Sequence, residues 1–126
     1  YARHALVNEQ ALQEAREAEI LPASVAEGDK VVYFYSLKCH FCKMSAQKLA
    51  TLRQRGEFAQ APVIVIYGRG QDTNTEAFFA ETGLTPDEVH FIEPNDFLRI
   101  TNGSFPVILE LQDGAVQKAY NYRNLH

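Results

Sequence analysis

Two runs constrain this chain more than anything else in it: Val31-Val32-Tyr33-Phe34-Tyr35 and Val63-Ile64-Val65-Ile66-Tyr67, each five consecutive β-branched or aromatic residues. A run without polar alternation reads as a buried strand rather than one with a wet face. The first run is read as a central strand. Between the two, residues 39–55 favour helix. Cys42, Ala46, Leu49 and Ala50 fall at i, i+4, i+7 and i+8, on one face, and Gly56 is placed to end the helix.

The alternation continues. Thr73-Asn74-Thr75-Glu76 has capping-box spacing and predicts a helix from Thr73 to Thr82, closed by Gly83. Val89 to Ile92 reads as a short third strand, Asn95 to Thr101 as a short helix stopped at Asn102-Gly103, and Val107 to Leu111 as a fourth strand. Asp113-Gly114 is a hairpin signal, and Ala115 to Tyr122 follows as a fifth strand. Ahead of all this, residues 2–19 are rich in helix formers, but their apolar positions are not cleanly amphipathic. We read an ordinary surface helix there, with a docking helix or a stalk as alternatives. Leu21-Pro22 and Glu27-Gly28-Asp29 then mark loop and turn.

The resulting order is helix, then β-α-β-α-β-α-β-β. Strands alternating with helices imply a mostly parallel sheet covered by helices, and the closing hairpin adds an antiparallel pair, so the class is a mixed α/β sandwich. With 126 residues, 46% of them hydrophobic, the chain suits one domain with a sizeable core. We divide it into a lead-in over residues 1–30 and a domain over 31–126. The net charge of −4 argues against nucleic acid as a partner. No stretch approaches the roughly 20 apolar residues needed to span a bilayer. Because the chain begins at Tyr1, we expect either a removed leader or a domain cut from something longer.

The only two cysteines form a CxxC, Cys39-His40-Phe41-Cys42, at the expected start of a helix. Two cysteines are too few for a disulfide scaffold, which points to chemistry. The first turn of a helix carries unpaired N–H groups and partial positive charge, so a thiolate is stabilised there and is nucleophilic near neutral pH. Between Asp29 and Glu57 there is no acidic residue, while Lys38, His40, Lys43, Lys48, Arg53 and Arg55 are all present. Lys38 and His40 flank Cys39 directly. With Phe41 they are the candidate redox-tuning residues, and Arg53 and Arg55 read as a solvated face. Cys39 at the helix tip is the expected attacking thiol, and Cys42, one turn deeper on the inward face, the resolving thiol. A zinc site is the competing reading, but it needs four ligands. His4, His40, His90 and His126 are scattered, so no metal and no cofactor is expected.

The segment Val31–Cys42 resembles the strand-loop-CxxC-helix unit of the thioredoxin superfamily, and Gly103-Ser-Phe-Pro-Val-Ile-Leu-Glu-Leu-Gln-Asp-Gly114 resembles its second signature. The resemblance implies a thioredoxin-like fold over most of the chain, with Pro106 as a cis-proline and Phe105 before it as the substrate-binding pair. The extra strand and helix between Tyr67 and Phe105 are similar to the membrane-tethered TlpA/ResA type. A second similarity is to thioredoxin-like domains appended to DoxX-like bacterial membrane proteins. These imply a periplasmic or extracytoplasmic, membrane-tethered protein, with a cytoplasmic one as the alternative. The partners would be protein thiols or disulfides and a membrane-embedded redox partner or fused membrane domain. The chain departs from the family in three places. Tyr33 stands where thioredoxins carry a buried acid, Lys-Cys-His-Phe-Cys replaces Trp-Cys-Gly-Pro-Cys, and the final helix is absent or very short. The expected function is thiol–disulfide exchange on protein substrates, read as reductive. The direction depends on a potential that ranges from roughly −270 to −120 mV among such sites. A non-catalytic redox-sensing or partner-docking module is the alternative.

Overall fold

The computed structural model describes residues 6–70 and 74–125. Its elements are α1 (Glu9–Glu17), a single 3-10 turn (Ala23–Ala26), β1 (Asp29–Phe34), α2 (His40–Gln54), β2 (Val63–Gly68), α3 (Thr75–Thr82), β3 (Glu88–Ile92), α4 (Pro94–Thr101), β4 (Val107–Gln112) and β5 (Ala115–Tyr120). The strands form one sheet in the order β3-β2-β1-β4-β5. β1 is its central strand, parallel to β2 and antiparallel to β4, while β3 runs parallel to β2 and β5 antiparallel to β4.

The unbroken apolar runs are explained by two covered faces. Val31, Tyr33 and Tyr35 point to the side of α2 and α3, where Cys42, Ala46, Leu49 and Phe78 join them in one hydrophobic cluster. Val32 and Phe34 point the other way, into a second cluster with Leu12 and Ala15 of α1 and Phe97 and Ile100 of α4. Every second residue of β1 therefore meets a different helical layer, and neither set can be polar. Phe34, at the end of β1, pairs with Val107 at the start of β4. That register brings the loop into Cys39 and the Phe105-Pro106 segment to the same end of the sheet.

Several boundaries differ from the sequence reading. The expected N-terminal helix is cut at Asn8, which caps α1 by accepting the Ala11 N–H at 3.0 Å and whose own N–H donates to the Ile100 carbonyl at 2.8 Å. The first residues of that expected helix lie outside the described residues. α1 covers one face of the sheet with Ala11, Leu12 and Ala15 buried. Two of those three are alanines, which is why its apolar stripe looked weak. Thr73, expected to open a capping box, also lies outside the described residues. The cap that is described is Asn74, whose side chain accepts the Ala77 N–H at 3.0 Å. β5 stops at Tyr120 rather than Tyr122, because Asn121 and Asn124 close a turn there.

Candidate active site

β1 delivers the chain to the site. After Phe34, the Tyr35 N–H still bonds the Ile66 carbonyl at 3.1 Å, and the Cys39 N–H then donates to the Ser36 carbonyl at 3.2 Å, closing the turn into α2. Cys39 is the N-cap of α2. Its backbone is extended, with φ −90° and ψ 117°, and its sulfur accepts the Cys42 N–H at 3.2 Å. A sulfur thus fills the place that a Ser or Asp oxygen takes at most helix starts. The helix terminus sets its partial positive charge against that sulfur.

The two thiols, both free, occupy different surroundings. Cys39 is partly exposed, whereas Cys42 is fully buried with Ala46 and Leu49 behind it. The Cys42 sulfur accepts the Ser36 N–H at 3.3 Å. Burial pushes the Cys42 thiol far above its ordinary pKa, and the hydrogen bond to the Cys39 side chain and the charge of that sulfur push the same way. The Ser36 amide opposes them without prevailing.

Tyr33 lies beneath the pair. Its hydroxyl donates to the backbone carbonyl of Cys42, and its ring stacks on Tyr35 with centroids 5.2 Å apart. Burial, followed by the charges of Cys42 and Cys39, holds its phenol well above its usual pKa. Tyr33 is therefore a neutral donor and not a base for the Cys42 proton. The Tyr35 hydroxyl is buried with no partner among the described residues, and burial, then Tyr67 and Cys42, raise its pKa as well.

Lys38, His40 and Phe41 are exposed at the helix start. The His40 ring lies 5.8 Å from that of Phe41, and Phe41 lies 4.8 Å from Tyr122. The basic segment is less free than its sequence suggests. Lys43 is paired with Glu81 of α3, and Arg53 is not simply a solvated cation, since it donates to the Ala61 carbonyl at 2.9 Å. Both partners come from parts of the chain that a local charge count leaves out.

The Phe105–Pro106 bond is cis. Pro106 is buried, and Phe105 is half-buried with its ring 5.4 Å from Phe97. Phe41, Phe105, Pro106, Tyr122 and Arg123 line a groove of about 300 Å³ beside the helix start. Tyr122 and Arg123 were not legible as site residues. The two asparagines that flank them are turn signals, but only the fold shows where that turn is placed. Among the described residues no group of three or more His, Cys, Asp or Glu side chains could hold a metal ion, and no helix is long and apolar enough to cross a membrane. His4 and His126 lie outside those residues.

The chain matches no family model and no curated protein. It does resemble solved structures. One is a secreted Mycobacterium tuberculosis disulfide oxidoreductase homologous to E. coli DsbE, at 16% identity and a TM-score of 0.58 over 79% of this chain and 72% of that one. Another is the thioredoxin domain of a Bacteroides vulgatus thiol-disulfide oxidoreductase, at 12% identity and 0.58 over 78% and 73%. A third is StoA from Bacillus subtilis, at 14% identity and 0.55 over 75% of each chain. The shared architecture is the thioredoxin fold, as the two sequence signatures imply.

Proposed function

We propose that the protein is a thiol–disulfide oxidoreductase that cycles Cys39 and Cys42 between dithiol and disulfide on protein substrates. The observation that carries this reading is the asymmetry of the pair. One sulfur sits half-exposed at a helix N-terminus with an amide donor aimed at it, and its neighbour is buried one turn deeper. In the reductive direction the Cys39 thiolate attacks one sulfur of a substrate disulfide and the other substrate sulfur leaves as a thiolate. Cys42 then loses its proton and attacks the Cys39 sulfur, so the substrate departs with two electrons and a Cys39–Cys42 disulfide remains. An external dithiol restores the starting state. Thiol-disulfide oxidoreductases among the structural neighbours support the reaction class, and the secreted neighbour supports an extracytoplasmic location.

The test is reduction of a disulfide-bonded protein by excess dithiol, run beside Cys39→Ser/Cys42→Ser. The intact chain should accelerate reduction, and Cys42→Ser should accumulate mixed disulfides through Cys39. Equal rates for the intact and double-substituted chains would reject the proposal and leave a binding module. Mixed disulfides collecting on Cys39→Ser instead would reverse the two roles.

A further inference from the structure

The groove beside the cysteines has two walls of different origin. Phe41, between the cysteines, and Phe105-Pro106, at the entrance to β4, form one of them. Tyr122 and Arg123 form the other, on a turn that the chain takes trouble to fix. Asn121 Oδ1 accepts the N–H groups of Arg123 at 2.9 Å and Asn124 at 3.0 Å, Asn124 Oδ1 accepts the Asn121 N–H at 2.6 Å, and Leu125 is fully buried. Tyr122 is thereby held against Phe41, which is itself 51% exposed. The aromatic rings and Pro106 give the groove an apolar part, beside which stand Ser104, Asn121 and one cation, Arg123. Lys43, Arg69 and Arg99 each have a carboxylate partner. Arg123 is exposed, and among the described residues no carboxylate pairs with it. Lys38, also exposed, adds to the same sign of charge beside Cys39.

We infer that Arg123 is a specificity residue: it selects substrate segments in which the reacting cysteine is flanked by a carboxylate, with an apolar side chain seated against Phe41 and Tyr122. The inference rests on the exchange reading above and narrows its substrate class. The bonds made and broken remain those of exchange, and the ion pair changes only how well the segment is seated while the sulfurs react. A partner of that composition complements both the aromatic surface of the groove and a cation that no carboxylate among the described residues pairs with.

The experiment uses two peptides that differ only in a Glu or a Lys two residues from a cysteine held in a mixed disulfide with a chromogenic thiol, each with a Leu on the other side. At low salt the Glu peptide should have the higher kcat/KM by about fivefold, the size an exposed ion pair supports. The preference should collapse toward unity at roughly 0.5 M salt. Arg123→Glu should reverse it, and Arg123→Lys should retain part of it. Because Arg123 is exposed, both variants should keep the parent's thermal midpoint, which checks that they fold. Equal kcat/KM for the two peptides in the parent chain, or an unchanged preference in Arg123→Glu, would overturn the inference and leave exchange itself standing. Turnover of neither peptide would overturn both.

Discussion

Burial gives Cys42 its chemistry, and the direction of the effect can be read from a pH profile. Its thiol is held protonated chiefly by loss of water, a cause that persists when Cys39 is tied up in a mixed disulfide. Below the pKa of an attacking thiol, its thiolate fraction rises tenfold with each pH unit. Release of substrate from Cys39 by Cys42 should therefore accelerate about tenfold per unit between about pH 6 and 8, as seen by stopped-flow with a chromogenic thiol. Tyr33 donates a hydrogen bond to the Cys42 carbonyl and keeps its proton, so Tyr33→Phe should keep that slope while costing about 1 kcal/mol of stability for the lost hydrogen bond. A flat profile in the parent chain would show that a base takes the Cys42 proton, and a profile flattened only by the tyrosine would identify Tyr33 as involved. The CxxC at a helix start, with Cys39 the more exposed thiol and Cys42 the buried one, was legible because it is carried by contiguous residues, and the cis bond before Pro106 was legible through the resemblance of the segment around it. The use made of Tyr33 was not, since a phenol reaching a backbone carbonyl nine residues on depends on how β1 and α2 pack.

The β4–β5 turn shows the same division between what local residues encode and what packing adds. Asp113-Gly114 reads as a hairpin from its composition, and both residues adopt positive φ, 49° and 84°, as such a turn requires. A second demand on Gly114 comes from Arg16, ninety-eight residues away, whose guanidinium donates to the Gly114 carbonyl at 3.0 Å. A Cβ on Gly114 would lie 2.5 Å from Arg16 Cζ, whereas one on Gly103, also at positive φ, would meet nothing within 4 Å. Gly103→Ala should then cost only the left-handed backbone penalty of about 1–2 kcal/mol. Gly114→Ala should cost roughly 1 kcal/mol more, because Arg16 must swing away from its acceptor. In an Arg16→Ala background the excess should vanish, and urea denaturation of the four chains reads the coupling directly. An excess that survives removal of Arg16 would place the strain in the turn itself. Helix and strand identities were largely legible, the two inner strands from unbroken apolar runs and the helices from helix formers, caps and the spacing of Cys42, Ala46 and Leu49. The ends were less so, and β5 ran two residues too far because Asn121 and Asn124 bond each other's backbone in a turn that simple strand propensity ignores.

At the scale of the molecule, the division into a lead-in over residues 1–30 and a domain over 31–126 meets a core that crosses it. Val7, Leu12, Leu21 and Val25 are buried in the cluster that also holds Val32, Phe34, Ile100 and Leu109. They cover the face of the sheet opposite α2, so the central strand depends on them to stay dry on both sides. The sequence concealed this, because a stripe built partly from Ala11 and Ala15 has little contrast with the polar positions around it. Full burial of a Val or Leu side chain is worth about 1.5–3 kcal/mol. Four such residues together therefore rival the about 5–15 kcal/mol that holds a typical domain folded. A chain beginning at Gly28 would lose all four and would also expose Phe34, Phe97 and Ile100 to water. It should show a broad, low-midpoint urea transition, with a hydrophobic dye bound before unfolding, while the full chain unfolds in one cooperative step. The redox site is built on the opposite face, so Cys42 shielding reports whether loss of one layer is felt through the sheet. In the shortened chain, Cys42 should become open to alkylation alongside Cys39, because β1 carries Tyr33 and Phe34 on alternate faces and cannot shift for one layer alone. An unchanged midpoint with Cys42 still protected would mean that residues 28–126 fold by themselves and that the helical lead-in is an accessory.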